Sequence, residues 1–435
     1  MKKTFRLLCI TLLAGNALQL PAQQVYSLDR CVEMALESNK DIQAAKHLQQ
    51  KYEYEKKALY ANYFPNVSLT ASDAYSTLSG EQVLDIGMGG FAPSLDYKVK
   101  NIISGSVQVV QPLYMGGKIT AGYNMGKIGA EMANLNQALS REKIIVSVYE
   151  GYHLLVKAKE LRVVALKYDS LLVQLTKDVH SALEHGMVSR NEEMKVLVKK
   201  NEAELKIRQA ENGIRLARMN LCQLIGLPLH TPIDIEPDKD SDSFAVIDLH
   251  ASITDRTEYQ LLDMKTKLAE QQVKLQKANL LPQLGLVAQG AMVDGLEVAG
   301  SKMFKFKPMF NAMVSLKVPI FHLNETTNKI RAAKEELNQQ RMEQQSLCEK
   351  MDLELQQQVN EVDEANLEVA LRKRNLEQCE ENLRISRKSY DVGYETLSDL
   401  LTAQLLWQQA YAELVETKYQ LKNKLIKWRK AAGKL

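Results

Sequence analysis

The sequence predicts a mainly α-helical protein with a small β part, in which one helix-strand-strand-helix-helix unit occurs twice. Three observations predict this fold class. Two stretches are long enough, and free enough of glycine and proline, to form unusually long helices. Pairs of segments that alternate polar and apolar residues precede these stretches. Proline and glycine positions recur at constant spacings, which indicates an internal duplication.

The chain of 435 residues begins with a predicted secretory signal peptide. Basic residues precede a short apolar stretch, and Ala22 offers a small residue for cleavage, so we expect residues 1–22 to be removed. The apolar stretch is too short to span a membrane comfortably. Lipidation at Cys9 is the alternative, but the leucines before it are not the small residues that such a site needs.

The predicted mature protein is close to electrically neutral. The whole chain has 56 lysine and arginine residues against 53 acidic residues, and the signal peptide removes three basic residues and no acid. A nucleic-acid-binding protein carries a basic excess, so we expect no nucleic-acid partner. The spacing of the four remaining cysteines fits neither a zinc site nor a dense disulfide framework. These cysteines are Cys31, Cys222, Cys348 and Cys379.

Long helices are predicted in both halves of the chain. No proline or glycine occurs between Pro319 and Gly393. A helix through most of this stretch would be on the order of 100 Å long at a rise of about 1.5 Å per residue. The stretch 131–184 is interrupted only by Gly151, and its apolar residues recur mostly every three or four positions. Helices of this length do not fit inside a compact globule, and they indicate coiled coils or helical arrays.

The predicted strands come in one pair per half, at about 66–78 and 101–112 and at about 283–293 and 308–318. Alternating polar and apolar residues are typical of strands in a membrane β-barrel, although an edge of a soluble sheet shows the same pattern. No apolar run of about 18 residues follows the signal peptide. Four strands cannot close a barrel of about eight or more strands, so a membrane-bound form must share one barrel among several copies.

The duplication is visible in the residues that end helices and strands. Three pairs lie 207 residues apart: Pro112 and Pro319, Gly186 and Gly393, and Gly226 and Gly433. Upstream of these, Pro65 and Pro282 are separated by a larger offset. The difference predicts a longer loop between the strands of the first pair, where Gly80, Pro93 and three further glycines lie.

The duplication also predicts the domain organisation of the chain. After the signal peptide, we expect a first structural repeat at 23–235 and a second at 248–435. The residues between them, 236–247, contain an acidic, polar run from Glu236 to Ser243, and they are predicted to form a linker.

The sequence offers no motif for catalysis. Gly117 and Lys118 suggest part of a phosphate-binding loop, but Pro112 occupies the position of its first glycine, and Ile119 that of its serine or threonine. The seven histidines form no metal-binding pattern, and no nucleophile motif occurs. We therefore expect neither an enzyme nor a cofactor or metal site.

The order of elements, the duplication and two segments, 111–118 and 392–401, resemble the TolC-type outer-membrane efflux proteins. The resemblance covers essentially the whole mature chain. It implies a homotrimer, with a shared β-barrel in the lipid of the outer membrane and a long α-helical barrel in the periplasm. It also implies a channel of a tripartite efflux or type I secretion system, which conducts substrates from a periplasmic adaptor protein and an inner-membrane pump to the exterior. The alternative is a secreted or periplasmic coiled-coil scaffold without a pore.

Each helix that follows a predicted turn begins with a predicted capping box. Ser189 is followed three residues later by Glu192, and Thr396 by Asp399. Helix capping, together with a favourable contact with the helix dipole, is one explanation of both acids. The other explanation is that Asp399 faces a pore, where three copies would form an acidic ring that selects cations or repels anions.

The resemblance implies further site residues near the two turns. A pore-lining aspartate of the family is matched by Asp399, a second one by Thr402, and an arginine of the closed-state lock by Glu395, so the same salt bridge cannot form. The candidates for the pore constriction are Asp399, Thr402, Glu192, Tyr394 and Glu395. The tip turns expected to dock the adaptor are Gly186, Met187, Val188, Val392 and Gly393. A left-handed turn conformation is by itself a sufficient reason for both glycines.

Overall fold

The computed structural model describes residues 24–75, 79–83, 94–236, 252–298, 301–302, 305–321 and 323–435. The predicted signal peptide lies outside the described residues, as do the predicted linker after Glu236 and residues 84–93 of the predicted loop. Most of the described residues lie in helices, and a much smaller share lies in strands. These proportions confirm the mainly α-helical fold class with a small β part.

The described helices repeat along the chain with matching lengths. In chain order they are α1 (Leu28–Ser38), α2 (Lys40–Ala61), α3 (Lys118–Glu184), α4 (Arg190–Leu224), α5 (Thr257–Lys277), α6 (Glu325–Asp391) and α7 (Leu397–Ala431). Helices α3 and α6 have 67 residues each, and α4 and α7 have 35 residues each. The two members of each pair start at the constant offset that the duplication predicts. None of the helices in the described ranges combines the length and the apolarity that a membrane span requires.

The long strands form one antiparallel sheet. The described strands are β1 (Gln24–Tyr26), β2 (Asn66–Tyr75), β3 (Ser79–Val83), β4 (Ser94–Tyr114), β5 (Ile233–Ile235), β6 (Gln283–Val298), β7 (Ser301–Lys302) and β8 (Lys305–Lys317). The sheet has the order β2-β4-β6-β8, with β3 paired to β4 and β7 paired to β6. Within the described ranges, β2 pairs only with β4, and β8 pairs only with β6. Both outer edges of the sheet are therefore open in the single chain.

Two of the short pairings were not predicted from the sequence. Strand β3 takes the place expected for the start of the loop, so Gly80 lies in a strand opposite Tyr97 instead of in the loop. The longer β4 includes the residues that pair with β3, and it therefore begins before residue 101. Strands β1 and β5 pair in parallel, with Gln24 opposite Ile233. Three-residue strands contain too little alternation to be recognised, and their pairing gives no local signal.

Two compact units make up the chain, and each takes segments from both halves of the duplication. The first unit combines the described residues of Met1–His47, Leu135–Gln260 and Ser346–Leu435. It contains α1, α4, α7 and the greater part of α3 and α6. The second unit combines those of Leu48–Asn134 and Leu261–Gln345, and it contains the antiparallel sheet together with most of α2 and α5.

The core of the first unit lies between its helices. One cluster brings together α3, α4, α6 and α7, and its fully buried members include Leu172, Leu175 and Leu400. A second cluster packs α1 against α3, α4 and β5. At about 25 cal/mol per Å² of apolar surface, burial of such side chains provides the main stabilisation of the packed helices. The ends of α4 and α7 that lie next to the turns are thereby held in fixed positions.

Candidate functional site

The candidate site consists of the two turns of the first unit, where α3 leads to α4 and α6 leads to α7. Gly186 and Gly393 have φ angles of +71° and +80°, which glycine adopts without steric cost. In both turns, the amide after the glycine donates a hydrogen bond of 2.8 Å to the carbonyl five residues earlier. This Schellman arrangement ends α3 and α6 in the same way. The two turns therefore have the same backbone structure.

Both predicted capping boxes are confirmed. At the start of α4, the Glu192 amide donates to Ser189 Oγ at 3.4 Å, and the Ser189 amide donates to the Glu192 carboxylate at 3.3 Å. At the start of α7, the Asp399 amide donates to Thr396 Oγ1 at 3.2 Å. Asp399 Oδ2 accepts from the Thr396 amide at 3.1 Å and from its hydroxyl at 2.6 Å.

Asp399 caps α7 and still presents its charge to the surroundings. Its side chain is exposed. The hydrogen bond from the Thr396 hydroxyl, and next the one from the Thr396 amide, hold the pKa of Asp399 below its ordinary value. The carboxylate therefore remains ionised wherever an ordinary aspartate is ionised. Thr402 is also exposed, about one turn further along α7, and its hydroxyl donates to the Ser398 carbonyl at 2.8 Å.

The other constriction candidates have different environments. Glu192 is half-buried and belongs to the first turn. Glu395 is also half-buried, and it accepts a hydrogen bond from the hydroxyl of Ser386, a buried residue of α6. Tyr394 is 88% exposed. Of the five candidates, only Asp399 and Thr402 are exposed polar residues in the first turns of α7.

The docking candidates divide into exposed and packed residues. Met187 is 78% exposed and Val392 is 66% exposed, so each turn presents a large apolar side chain to its surroundings. Val188 instead packs against the core cluster between the long helices. The glycines provide the turn geometry, and the neighbouring apolar side chains provide a surface for contact.

A groove of about 440 Å³ lies between the first turns of α4 and α7. We call it the turn groove. Its lining from α4 consists of Asn191, Met194, Lys195, Val198 and Lys199, and its lining from α7 of Ser398, Leu401, Thr402 and Leu405. The lining combines apolar and polar side chains, and both of its lysines come from α4. Because residues next to both turns line one groove, the two turns lie at the same end of the unit.

The sequence analysis missed an ion pair close to the turns. Arg387 on α6 pairs with Asp178 on α3, and its Nε lies 3.2 Å from Asp391 Oδ1. Partial burial opposes the charge of Arg387, but the bonds and charges of these two carboxylates raise its pKa. Partial burial also raises the pKa of the neighbouring Tyr390 hydroxyl, and the Glu192 carboxylate adds to this effect. The sequence did contain a signal for this ion pair: Asp178 precedes Gly186, and Arg387 precedes Gly393, by about two helical turns each.

A histidine occupies the position in the first half that corresponds to Arg387. His180 precedes Arg387 by the same offset that separates the two turn glycines. Its Nδ1 lies 2.7 Å from Glu193 Oε1 on α4, and its Nε2 lies 3.5 Å from Glu184 Oε1 on α3. The hydrogen bond with Glu193, followed by the charge of Glu184, raises the pKa of His180. A titratable group thus links α3 to α4, whereas a permanent cation links α6 to α3.

The described part of the chain combines duplicated pairs of very long helices with an antiparallel sheet that is open at both edges. In the described part of the chain, no group of histidine, cysteine, aspartate or glutamate residues is arranged to hold a metal ion. The polar groups near the turns cap helices and form ion pairs.

The family model described as outer membrane efflux protein matches residues 31–226 and 262–434. The chain therefore belongs to the outer membrane efflux protein family. The two matched ranges correspond to the two halves of the duplication. No sequence among the curated proteins matches the chain significantly.

Solved structures with the same fold include three outer-membrane proteins of bacteria. The CmeC outer membrane channel of Campylobacter jejuni has a TM-score of 0.74 and 16% identity, covering 94% of this chain and 85% of that chain. The outer membrane protein VceC of Vibrio cholerae has a TM-score of 0.76 and 14% identity, with 93% and 96% covered. The open state of the MtrE outer membrane channel of Neisseria gonorrhoeae has a TM-score of 0.72 and 17% identity, with 93% and 88% covered.

The family establishes the general function of the protein. It is an outer-membrane efflux channel with a periplasmic helical domain. Proteins of this family are channels and not enzymes, and they form trimers in tripartite efflux systems. The TolC-type resemblance is confirmed. Membership of the family also decides against the coiled-coil scaffold without a pore.

Proposed function

We propose that three copies of this chain close one conduit in the lipid of the outer membrane, and that a periplasmic adaptor protein docks at the turns and connects an inner-membrane pump. The open sheet is the observation that supports a ring shared by several copies, and the trimers of the family supply the number three. Among the described strands, β2 and β8 each pair on one side only. Backbone groups cannot stay unpaired in lipid, so these edges need partners. Joining β8 of one copy to β2 of the next gives a closed ring with four long strands per copy.

Bilayer conductance and molecular mass test this assembly together. The protein purified in detergent should have the mass of three chains, and it should form stable single channels in a planar bilayer. Disulfide cross-linking between a cysteine placed at Ser68 on β2 and cysteines placed in turn along β8 should join neighbouring copies at one register, because β2 and β8 are the open strands. A monomeric mass together with folded protein would contradict the proposal.

Asp399 is proposed to form the charged constriction of this conduit. The support is its exposure, its lowered pKa and its place in the first turn of α7. Three carboxylates around one axis favour cations and repel anions. Thr402, about one turn further on, adds hydroxyl groups in place of a second acidic ring, so one layer of charge governs selectivity.

The charge of Asp399 is tested by Asp399→Asn. Asparagine keeps the shape of the side chain and an oxygen that accepts from the Thr396 amide, so the cap survives while the charge is lost. We expect the cation-to-anion permeability ratio to fall towards one. Glu192→Gln is the matched control, because Glu192 caps α4 in the same way but is half-buried. An unchanged ratio in Asp399→Asn would leave Asp399 with capping as its only role.

The adaptor is proposed to dock at the turn groove and at the exposed turn residues beside it. Met187 and Val392 supply exposed apolar contacts, and Lys195 and Lys199 supply positive charge on one side of the groove. These features suit a partner with an apolar tip and an adjacent acidic side chain. Charge reversal by Lys195→Glu, combined with Met187→Glu, should abolish co-purification of the adaptor while the channel conductance stays the same. Adaptor binding that survives both substitutions would place docking elsewhere.

A further inference from the structure

A second groove, about 630 Å³ in volume, lies between α3, α4 and α7. We call it the α4 groove. Its apolar lining includes Leu161, Ala165, Ala210, Gly213, Leu216 and Ala412. Leu216 is mostly exposed. A Cβ added at Gly213 would meet no heavy atom within 4 Å, so this part of α4 borders open space. The polar residues of the lining are Lys157, Lys206, Gln209, Asn220 and Gln408. A mainly apolar groove with polar residues around it is typical of a surface that binds a partner.

Helix α6 carries exposed leucines that no part of the first unit covers within the described residues. Leu353, Leu367 and Leu371 are each more than half exposed. At about 100° per residue, these three positions fall within about 40° of one another, so they form one stripe along the helix. The position in the first half that corresponds to Leu371 is Val164, which lines the α4 groove and is only 2% exposed. The duplicated fold thus covers this position in one half and leaves it open in the other.

The groove and two of the leucines lie at the same distance from the turns. Helix α4 starts at Arg190, and its groove residues near Gly213 lie within 210–217. Helix α6 ends at Asp391. The number of residues from Leu367 or Leu371 to that end is similar to the number from Arg190 to the groove residues of α4. Both distances correspond to roughly 30 to 40 Å along a helix. Since both turns line the turn groove, the leucines and the α4 groove are level with each other.

The charges of the two helices are complementary. Helix α4 has eight lysine and arginine residues against five acids. The part of α6 within the first unit, 346–391, has eleven acids against seven basic residues. Opposite net charges favour the approach of these two surfaces, and they disfavour contact between two copies of the same helix.

We propose that Leu367 and Leu371 of one copy insert into the α4 groove of the next copy, which makes this head-to-tail contact the helical interface of the assembly. The inference rests on the proposed homotrimer, and it names the surfaces that meet. A heterologous contact of this kind closes into a ring when the rotation between copies fits. In the assembly, Leu371 would then be buried between copies, as Val164 at the corresponding position is buried within each chain.

Cysteine cross-linking in the full-length protein tests which residues meet. The background carries Cys348→Ser and Cys379→Ser, because these two cysteines are partly accessible. In it, Leu216→Cys with Leu367→Cys should give covalent dimers and trimers on a denaturing gel after mild oxidation. The matched control combines Leu216→Cys with Leu353→Cys, on the same stripe but about 21 Å further along α6, and it should give none.

The outcomes of this experiment separate the interface from the trimer itself. A trimeric mass without the Leu216–Leu367 cross-link overturns the assignment of the interface and leaves the proposed function standing. A monomeric mass overturns both. A product in whole cells that joins Leu367→Cys to a protein of another mass assigns the stripe to a different occupant and also overturns the inference.

Filling the groove provides a second test without cysteines. Gly213→Leu fits the isolated chain, because the added side chain starts in open space, but it occupies the volume that the neighbouring leucines need. We expect loss of the trimer in detergent with unchanged helix content by circular dichroism. Gly213→Ala adds only a methyl group and should leave the trimer intact. A trimer that withstands Gly213→Leu as well as it withstands Gly213→Ala would contradict the proposed insertion.

Discussion

The two turns have the same backbone conformation, but the helices that follow them, α4 and α7, are buried to different extents. Both have a left-handed glycine, a Schellman arrangement and a capping box. Yet α4 contains five buried residues, whereas α7, of equal length, contains fifteen. Glu193 and Met194 on α4 correspond to Leu400 and Leu401 on α7. The same backbone arrangement is therefore followed by a largely buried helix, α7, in the second half and by a largely exposed helix, α4, in the first half.

This difference indicates separate tasks for the two halves. A helix that is held on most of its faces keeps the position of its exposed polar residues well defined. Asp399 and Thr402 have such a position at the start of α7. A helix with exposed faces can bind other chains through them. Helix α4 contributes residues to both the turn groove and the α4 groove. Four predictions test how far the two halves differ and how far they remain equivalent.

The largest expected effect distinguishes the covered helix from the open one. Leu401→Ala should lower the free energy of unfolding by about 2–5 kcal/mol, because it removes a buried leucine from the core cluster. Met194→Ala, at the corresponding position of α4, should lower it by less than about 1 kcal/mol, since Met194 is exposed. Guanidinium titration of the detergent-solubilised protein, followed by circular dichroism, measures both. Equal losses would mean that burial does not distinguish the two helices.

The sequence predicted the shared features better than the different ones. The constant offset between the halves depends on glycines and prolines, which fix backbone geometry wherever they occur, so the helix lengths, turns and caps followed from it. The sequence shows that Leu400 corresponds to Glu193, but it does not show which faces of the helices are buried, because that depends on how four helices pack. The Arg387–Asp178 pair joins distant segments, and exposed opposite charges of this kind are too common to single out one pair.

The glycines test whether the two turns are equivalent. Gly186→Ala and Gly393→Ala should each cost about 1–2 kcal/mol, because alanine is strained at positive φ. An added Cβ meets no heavy atom within 4 Å at either position, so backbone strain is the whole expected cost. The same unfolding titration should give equal losses for the two variants. A clearly larger loss at Gly393 would show that the environment of the turn contributes as well.

The capping boxes provide a smaller test of the same equivalence. Ser189→Ala and Thr396→Ala should each destabilise the protein by about 1 kcal/mol, since each removes the side chain that accepts from the third helical amide. Hydrogen exchange of the first-turn amides of α4 and α7 measures the local effect. Thr396→Ala should in addition raise the pKa of Asp399, because the hydroxyl bond that lowers it is lost. An unchanged pKa of Asp399 would contradict that assignment of cause.

The smallest expected effect is a pH dependence that only the first turn shows. His180 has a raised pKa through Glu193 and Glu184, whereas the corresponding Arg387 stays charged. For a group whose pKa is raised on folding, the stabilisation is fully present below the pKa of the unfolded chain, about 6.5, and it is lost as the pH rises through the folded value. Protection of the amides around Gly186, corrected for the intrinsic pH effect, should therefore fall from acidic to neutral pH, while protection around Gly393 stays constant.

Exchanging the two side chains sharpens this last prediction. His180→Gln should remove the pH dependence at the first turn, because glutamine can still bond to Glu193 but carries no charge at any pH. Arg387→His should create a pH dependence at the second turn, since the histidine would face Asp178 and Asp391 in place of the arginine. If the pH dependence of the first turn persisted in His180→Gln, another group would be responsible. The two halves would then differ in the packing of α4 and α7, and the exchange of histidine for arginine would have no part in the difference.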